Sequence, residues 1–140
     1  MQYPKTEVID ASNFMFVLVK FLDKHDPVTL KIIDNTIAKL ASKDALVARY
    51  LPTDDGLPGQ EGAFLLCSFW LVSALAIVED VERASAIMDK IMGYIKPHCL
   101  MPEEIDRATK EYLGNYPQAF SHMGFIMSAH YIHKYSQRQA

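Results

Sequence analysis

The run from Ala63 to Val78, AFLLCSFWLVSALAIV, constrains this chain more than any other stretch. Its roughly 16 residues carry no charge, and Cys67, Ser68 and Ser73 are the polar or sulfur-bearing interruptions. A membrane-spanning helix needs about 20 apolar residues, so the run is short for a span. A helix from Gly62 to about Val78 that is apolar on all sides must instead be covered by protein on most of them. The expected fold is built around this helix, with FLLCSFWLVSALA as core and no membrane partner.

The other segments read as helices. Asp10 and Ser12 can cap a helix over about Asn13–Leu22, where FMFVLVKFL is almost wholly apolar. Asp26-Pro27 reads as an N-cap and first helical position. It opens a helix to about Ser42, with Leu30, Ile33, Ile37 and Leu40 at steps of three and four. Asp80 stands ready to cap a helix over about Val81–Ile95, with Ala84, Ile87, Met88, Ile91 and Ile95 on one side. Pro117 opens a last helix to about Tyr135. Ala45–Tyr50 reads as extended or irregular, Leu51–Gly59 as a loop of turn residues, and no strand pattern stands out. Short connections (23–26, 79–80) alternate with long ones (43–61, 96–116), which implies helical hairpins with functional loops gathered at one end. The expected class is all-α, about five helices, in a single domain over residues 1–140.

Composition narrows the function. A net charge of -3 lacks the basic face that phosphate binding needs, so nucleic acid is not expected as a partner. Two cysteines, Cys67 and Cys99, make no disulfide framework, and Cys67 reads as a buried thiol. The opening MQYPKTEVID lacks the apolar core of a cleavable leader. The expectation is a cytoplasmic, reduced protein.

Polar groups gather between Pro97 and Gly124: Glu103, Glu104, Asp106, Asn115, Gln118, Ser121 and His122. Pro102-Glu103-Glu104 has two readings. One is a helix start, with proline first and acidic residues in the first turn, favoured by the macrodipole. The other is a catalytic carboxylate beside a second one. Arg49-Tyr50 is either a surface arginine beside a packed tyrosine or a sugar platform, offering a fork of donors and a stacking face. His130 and His133 lie three apart, but no third ligand sits at metal spacing, so no metal is expected. His122 shares a helical face with Gln118; a lone histidine is usually structural.

Three motifs in order, DGLPGQEGAFLLCSFWLVSALA, LMPEEID and LGNYPQAFSH, resemble the C-terminal part of glycoside hydrolase family 15. That family holds the glucoamylases and the glucoamylase-like trehalases and glucodextranases. VIDASNFMFVLVKFL and ARYLPTDDGLPG are similar to it in the same order, so the resemblance covers nearly the whole chain. It implies part of an (α/α)6 toroid, with the site at one end. It also implies inverting hydrolysis of α-glucosidic bonds without a cofactor, by a carboxylic acid and an opposing carboxylate that activates water. The family's base is the first acidic residue of the pair, which is Glu103 here. Arg49 and Tyr50 would belong to the sugar subsite with Glu61 at its rim, and Glu104, Gln118, Ser121 and His122 would support Glu103 or the sugar.

The departure from the family is its general acid, which sits upstream of everything present here. Glu7, Asp10, Asp23, Asp26, Asp34 and Asp44 fall on caps, turns or a helix face, and about five helices cannot close a toroid. The resemblance implies an α-glucoside or oligosaccharide ligand and a base-bearing segment, inactive until a separate chain supplies the missing half. The rival expectations are a non-catalytic remnant that binds sugar or protein, and a helical interaction module with no sugar role. Apolar helices left uncovered imply a homo-oligomer or that completing chain.

Overall fold

The computed structural model describes residues 9–51 and 62–138. Among them are five α-helices: α1 (Met15–Leu18), α2 (Pro27–Leu40), α3 (Leu65–Ile77), α4 (Val81–Met92) and α5 (Ala119–Ser136). A 3-10 turn, Ala11–Phe14, leads into α1. Three two-residue strands, β1 (Ala63–Phe64), β2 (Glu104–Ile105) and β3 (Tyr112–Leu113), form an antiparallel sheet in that order. The class is all-α, with this small sheet as the feature that periodicity missed. Two residues per strand are too few to display an alternating pattern.

α3 is the centre, buried at every position except Leu66 and Trp70, and it touches α1, α2, α4 and α5. Its polar interruptions each serve a neighbour. Ser68 Oγ accepts the buried Val47 N–H at 3.0 Å. Ser73 Oγ meets Ser128 Oγ of α5 at 3.1 Å, and Ser128 Oγ also donates to Phe69 O at 2.8 Å. Satisfied hydroxyls of this kind lose the penalty of burial. α5 approaches α3 closely at Gly124, where a Cβ would stand 2.9 Å from Leu66 Cδ1 and 3.1 Å from Phe69 Cβ.

Several boundaries differ from expectation. The first helix is cut short: Lys20 adopts φ 57, and Val19 and Phe21 are left exposed. α2 is capped as expected, with Asp26 accepting from Val28 N at 2.8 Å. Of the expected stripe it buries Ile33 and Leu40, packs the half-buried Ile37 on the core and leaves Leu30 45% exposed, while Thr29 and Thr36 are buried as well. The threonines can be buried because Thr29 Oγ1 donates to Asp23 O and Thr36 Oγ1 to Ile32 O. Asp80 stands at the N-cap of α4 without a capping hydrogen bond, its carboxylate lying 3.9 Å from Arg83. α5 begins at Ala119, not Pro117, because Gln118 is extended and donates its N–H to Met101 O. Among the described residues no helix is long and apolar enough to cross a membrane.

Candidate active site

The segment Met101–Ile105 is the frame of the site, and three successive carbonyls hold it in place. Met101 O accepts Gln118 N at 2.8 Å, Pro102 O accepts Ser121 Oγ at 2.7 Å, and Glu103 O accepts Leu65 N at 2.9 Å. The chain is therefore pinned on one side by the start of α5 and on the other by the start of α3. Those anchors draw it into β2, so Pro102-Glu103-Glu104 is not a helix start. The helix reading failed because these hydrogen bonds come from residues distant in sequence.

Glu104 pairs across the sheet with Phe64 and Leu113, and its Oε2 accepts Gly62 N at 3.2 Å. Glu103 lies over Gly114. Its Oε2 accepts both Asn115 N at 2.9 Å and Asn115 Nδ2 at 2.8 Å. Among the described residues no hydrogen bond reaches Glu103 Oε1, and the side chain is half-buried. One oxygen is fixed and the other is available to a water.

The hairpin between β2 and β3 is stiffened by Asp106, whose Oδ1 accepts Thr109 N at 2.7 Å and Ala108 N at 2.8 Å. These amides, Thr109 first, hold the Asp106 carboxyl below its usual range. Lys110 Nζ then reaches Asp44 at 2.7 Å, tying the hairpin to the connection after α2. That hydrogen bond lowers the Asp44 carboxyl as well.

Arg49 and Tyr50 are delivered by an extended segment bridged at Ala41–Val47 and Asp10–Tyr50. Arg49 Nη2 donates to Tyr50 Oη at 3.0 Å, and its guanidinium lies 4.8 Å from the Tyr50 ring centre and 5.7 Å from that of Phe64. An open pocket is lined here by Asp10, Ser12, Arg49, Tyr50, Phe64, Cys67 and Trp70. Phe64 connects it to Glu104, its partner across the ladder. Aromatic faces beside charged hydrogen-bonding groups are what a sugar ring needs, since its two sides are apolar and its rim is polar.

The structure thus brings Arg49 and Tyr50 together in one pocket, with Glu104 the ladder partner of its Phe64 and Glu103 the next residue on the same ribbon. Ser121 is 1% exposed with its hydroxyl committed to Pro102 O, so it supports the frame and does not face a ligand. His122 is half-buried, its Nδ1–H donating to Gln118 O at 2.9 Å. Glu61 lies outside the described residues. Asp10, Phe64 and Trp70 were missed as site residues. Asp10 was read as a cap, which it also is, accepting Ser12 N at 2.7 Å. Phe64, Cys67 and Trp70 recur every three residues, a spacing that signals one shared face within the apolar run. Among the described residues no cluster of three metal-ligating side chains occurs.

A scaffold that is helical apart from one small sheet is the class of fold that the sequence motifs implied. Comparison with known proteins makes the class specific. The profile of Glycosyl hydrolases family 15 matches residues 76–130, which include Glu103, Glu104, Asn115, Gln118, Ser121 and His122. The chain is 42% identical over 125 residues to a trehalase of Mycobacterium tuberculosis, covering 86% of this chain and 18% of that protein. It is 42% identical over 122 residues to a trehalase of Mycolicibacterium smegmatis, with the same coverage of both chains. With a trehalase of Thermoplasma volcanium it shares 32% identity over 129 residues, 92% of this chain and 20% of that one. This chain belongs to glycoside hydrolase family 15, and it spans about a fifth of the length of these relatives. No solved structure matches it.

Proposed function

We propose that this chain is the base-bearing segment of a family-15 hydrolase of α-glucosidic bonds, with trehalose as its first candidate substrate. Glu103 takes the proton of the attacking water, and the opposing acid comes from outside residues 1–140. The observation that carries this is the state of the Glu103 carboxylate, with Oε2 held by two donors from Asn115 and Oε1 without a hydrogen bond among the described residues. A base must sit within hydrogen-bond reach of the water it deprotonates, and in an inverting enzyme acid and base stand roughly 6.5–9.5 Å apart to admit that water. Arg49, Tyr50 and Glu104, with Glu61 at the rim, bind the sugar. Gln118, Ser121 and His122 hold the frame behind Glu103. The names of the relatives favour trehalose over maltooligosaccharide.

The same reading supplies the partner. Phe120, Met123, Ile126 and Met127 on α5 are 38–64% exposed, and such a stripe is covered in a stable particle. The cover is the chain that carries the rest of the toroid or, in its absence, a second copy. Cys67 is buried and Cys99 exposed, and two cysteines, too few for a disulfide framework, fit a cytoplasmic location.

Hydrolysis of trehalose and maltose tests the reading. The chain is assayed alone and after placement in the corresponding stretch of the Mycolicibacterium smegmatis trehalase. The expected result is negligible turnover alone and measurable turnover when completed. In the completed enzyme Glu103→Gln lowers kcat by about 10²–10⁴-fold, because an amide cannot accept the proton, and Glu104→Gln costs far less. Robust turnover by the chain alone overturns the missing acid, and equal losses from both changes overturn the assignment within the pair.

A further inference from the structure

Asn115 makes three hydrogen bonds with one residue. Its N–H and its Nδ2 both donate to Glu103 Oε2, and its carbonyl accepts Glu103 N at 2.9 Å. The carboxylate is therefore tied to the same residue that its own backbone is tied to, so side chain and main chain cannot rotate independently. Gly114 makes the closure possible. It adopts φ 71, and a Cβ there would stand 2.7 Å from Glu103 Oε2 and 3.0 Å from Glu103 Cβ. Any side chain at 114 displaces the carboxylate.

We infer that Asn115 is a positioning residue for the base, selecting which oxygen of Glu103 faces the water; this rests on the role proposed for Glu103. Two donors on one oxygen set the plane of the carboxylate and leave the other oxygen to work. The amide is chemically specific for this task. An aspartate at 115 has the same shape but no side-chain donor, and it places a second negative charge against the first. A neighbouring like charge favours protonation of a carboxylate, which disables a base. Catalytic groups must be held to about 0.5 Å of their working positions, so loss of the clasp reaches the rate and not substrate affinity.

The first test needs no activity. In the 15N-labelled 140-residue chain, the backbone and side-chain N–H signals of Asn115 should shift together in Glu103→Gln, which removes the charge from the accepting oxygen. Signals that ignore Glu103 overturn the clasp, whatever the enzyme does. The second test uses the completed enzyme. Asn115→Asp should lower kcat about 100-fold with KM within about threefold, and should move the acid limb of the pH profile upward. Asn115→Ala, which keeps the backbone donor and adds no charge, should cost about tenfold and move that limb less. A merely structural Asn115 would lower the melting temperature equally in both variants and leave the pH profile alone, which overturns the proposal. If the signals behave as expected but Glu103→Gln stays active, the base assignment fails and the positioning role falls with it, while the contact stands.

Discussion

The two faces of α5 are built from opposite materials. The face toward α3 is centred on the buried Ser121, Gly124 and Ser128, so small side chains meet the middle of the core, with Phe125 edge-on to Phe69 and Tyr135 buried near the helix end. The outward face carries Phe120, Met123, Ile126 and Met127, so the largest apolar side chains meet solvent. An amphipathic surface helix shows the reverse. Small residues inward let the backbone come close enough for Ser128 to bond Phe69 O and for Ser121 to bond Pro102 O. Large residues outward have no such contact here, and they are suited to a second layer of helices. The inner face holds the Met101–Ile105 segment through Ser121, and the outer face carries the exposed apolar stripe.

The sharpest way to break this contrast is to enlarge the inner face. Gly124→Leu pushes against Leu66 and Phe69 and should cost about 3 kcal/mol, at the upper end of overpacking penalties, read as a lower midpoint in chemical denaturation. A midpoint unchanged from wild type would mean that α5 does not approach α3 as closely as described. Ser121→Ala comes next. It leaves the buried Pro102 carbonyl without its donor, a loss of about 1–3 kcal/mol, and loosens the segment that carries Glu103. In the completed enzyme kcat should fall with it, whereas a change in stability alone would separate Ser121 from the site.

The outer face should respond in the other way. Met123→Glu with Ile126→Glu should leave the midpoint of a dissociated chain within about 0.5 kcal/mol, as exposed changes do. The same pair should abolish self-association in light scattering. A wild-type chain that remains a 15.9 kDa particle at all concentrations, with no dye-binding apolar surface, would show that the outer face needs no cover.

Acid should separate the regions with the smallest effect. The Asp44 carboxyl is lowered chiefly by its hydrogen bond to Lys110, and that of Asp106 by the Thr109 and Ala108 amides. Both fall below the usual 3.8, so their contribution is complete above that pH and is lost as pH drops through the lowered values. The inner contacts Ser121, Gly124 and Ser128 hold no carboxylate. Hydrogen exchange between pH 5 and about 3 should therefore open the β2–β3 hairpin before the α3–α5 interface. Simultaneous opening would make the two regions one cooperative unit.

Much of this was determined by the sequence alone. An uncharged run such as Ala63–Val78 can satisfy itself only by burial, so α3 had to be central whatever surrounded it. The Asp26-Pro27 start of α2 and the existence of α4 and α5 are likewise local chemistry, and the ordered motifs around LMPEEID and LGNYPQAFSH carried the family. Tertiary structure decided what local preference could not. Pro102-Glu103-Glu104 has the composition of a helix start, yet donors from Leu65, Gln118 and Ser121 draw it into a strand. Trp70 lies in a run that reads as core, yet the packing of α3 leaves it lining the pocket with Arg49. The clasp of Asn115 on Glu103 joins residues 12 apart through a glycine at φ 71. Such contacts depend on where distant backbone groups come to rest, and no periodicity along the chain encodes that.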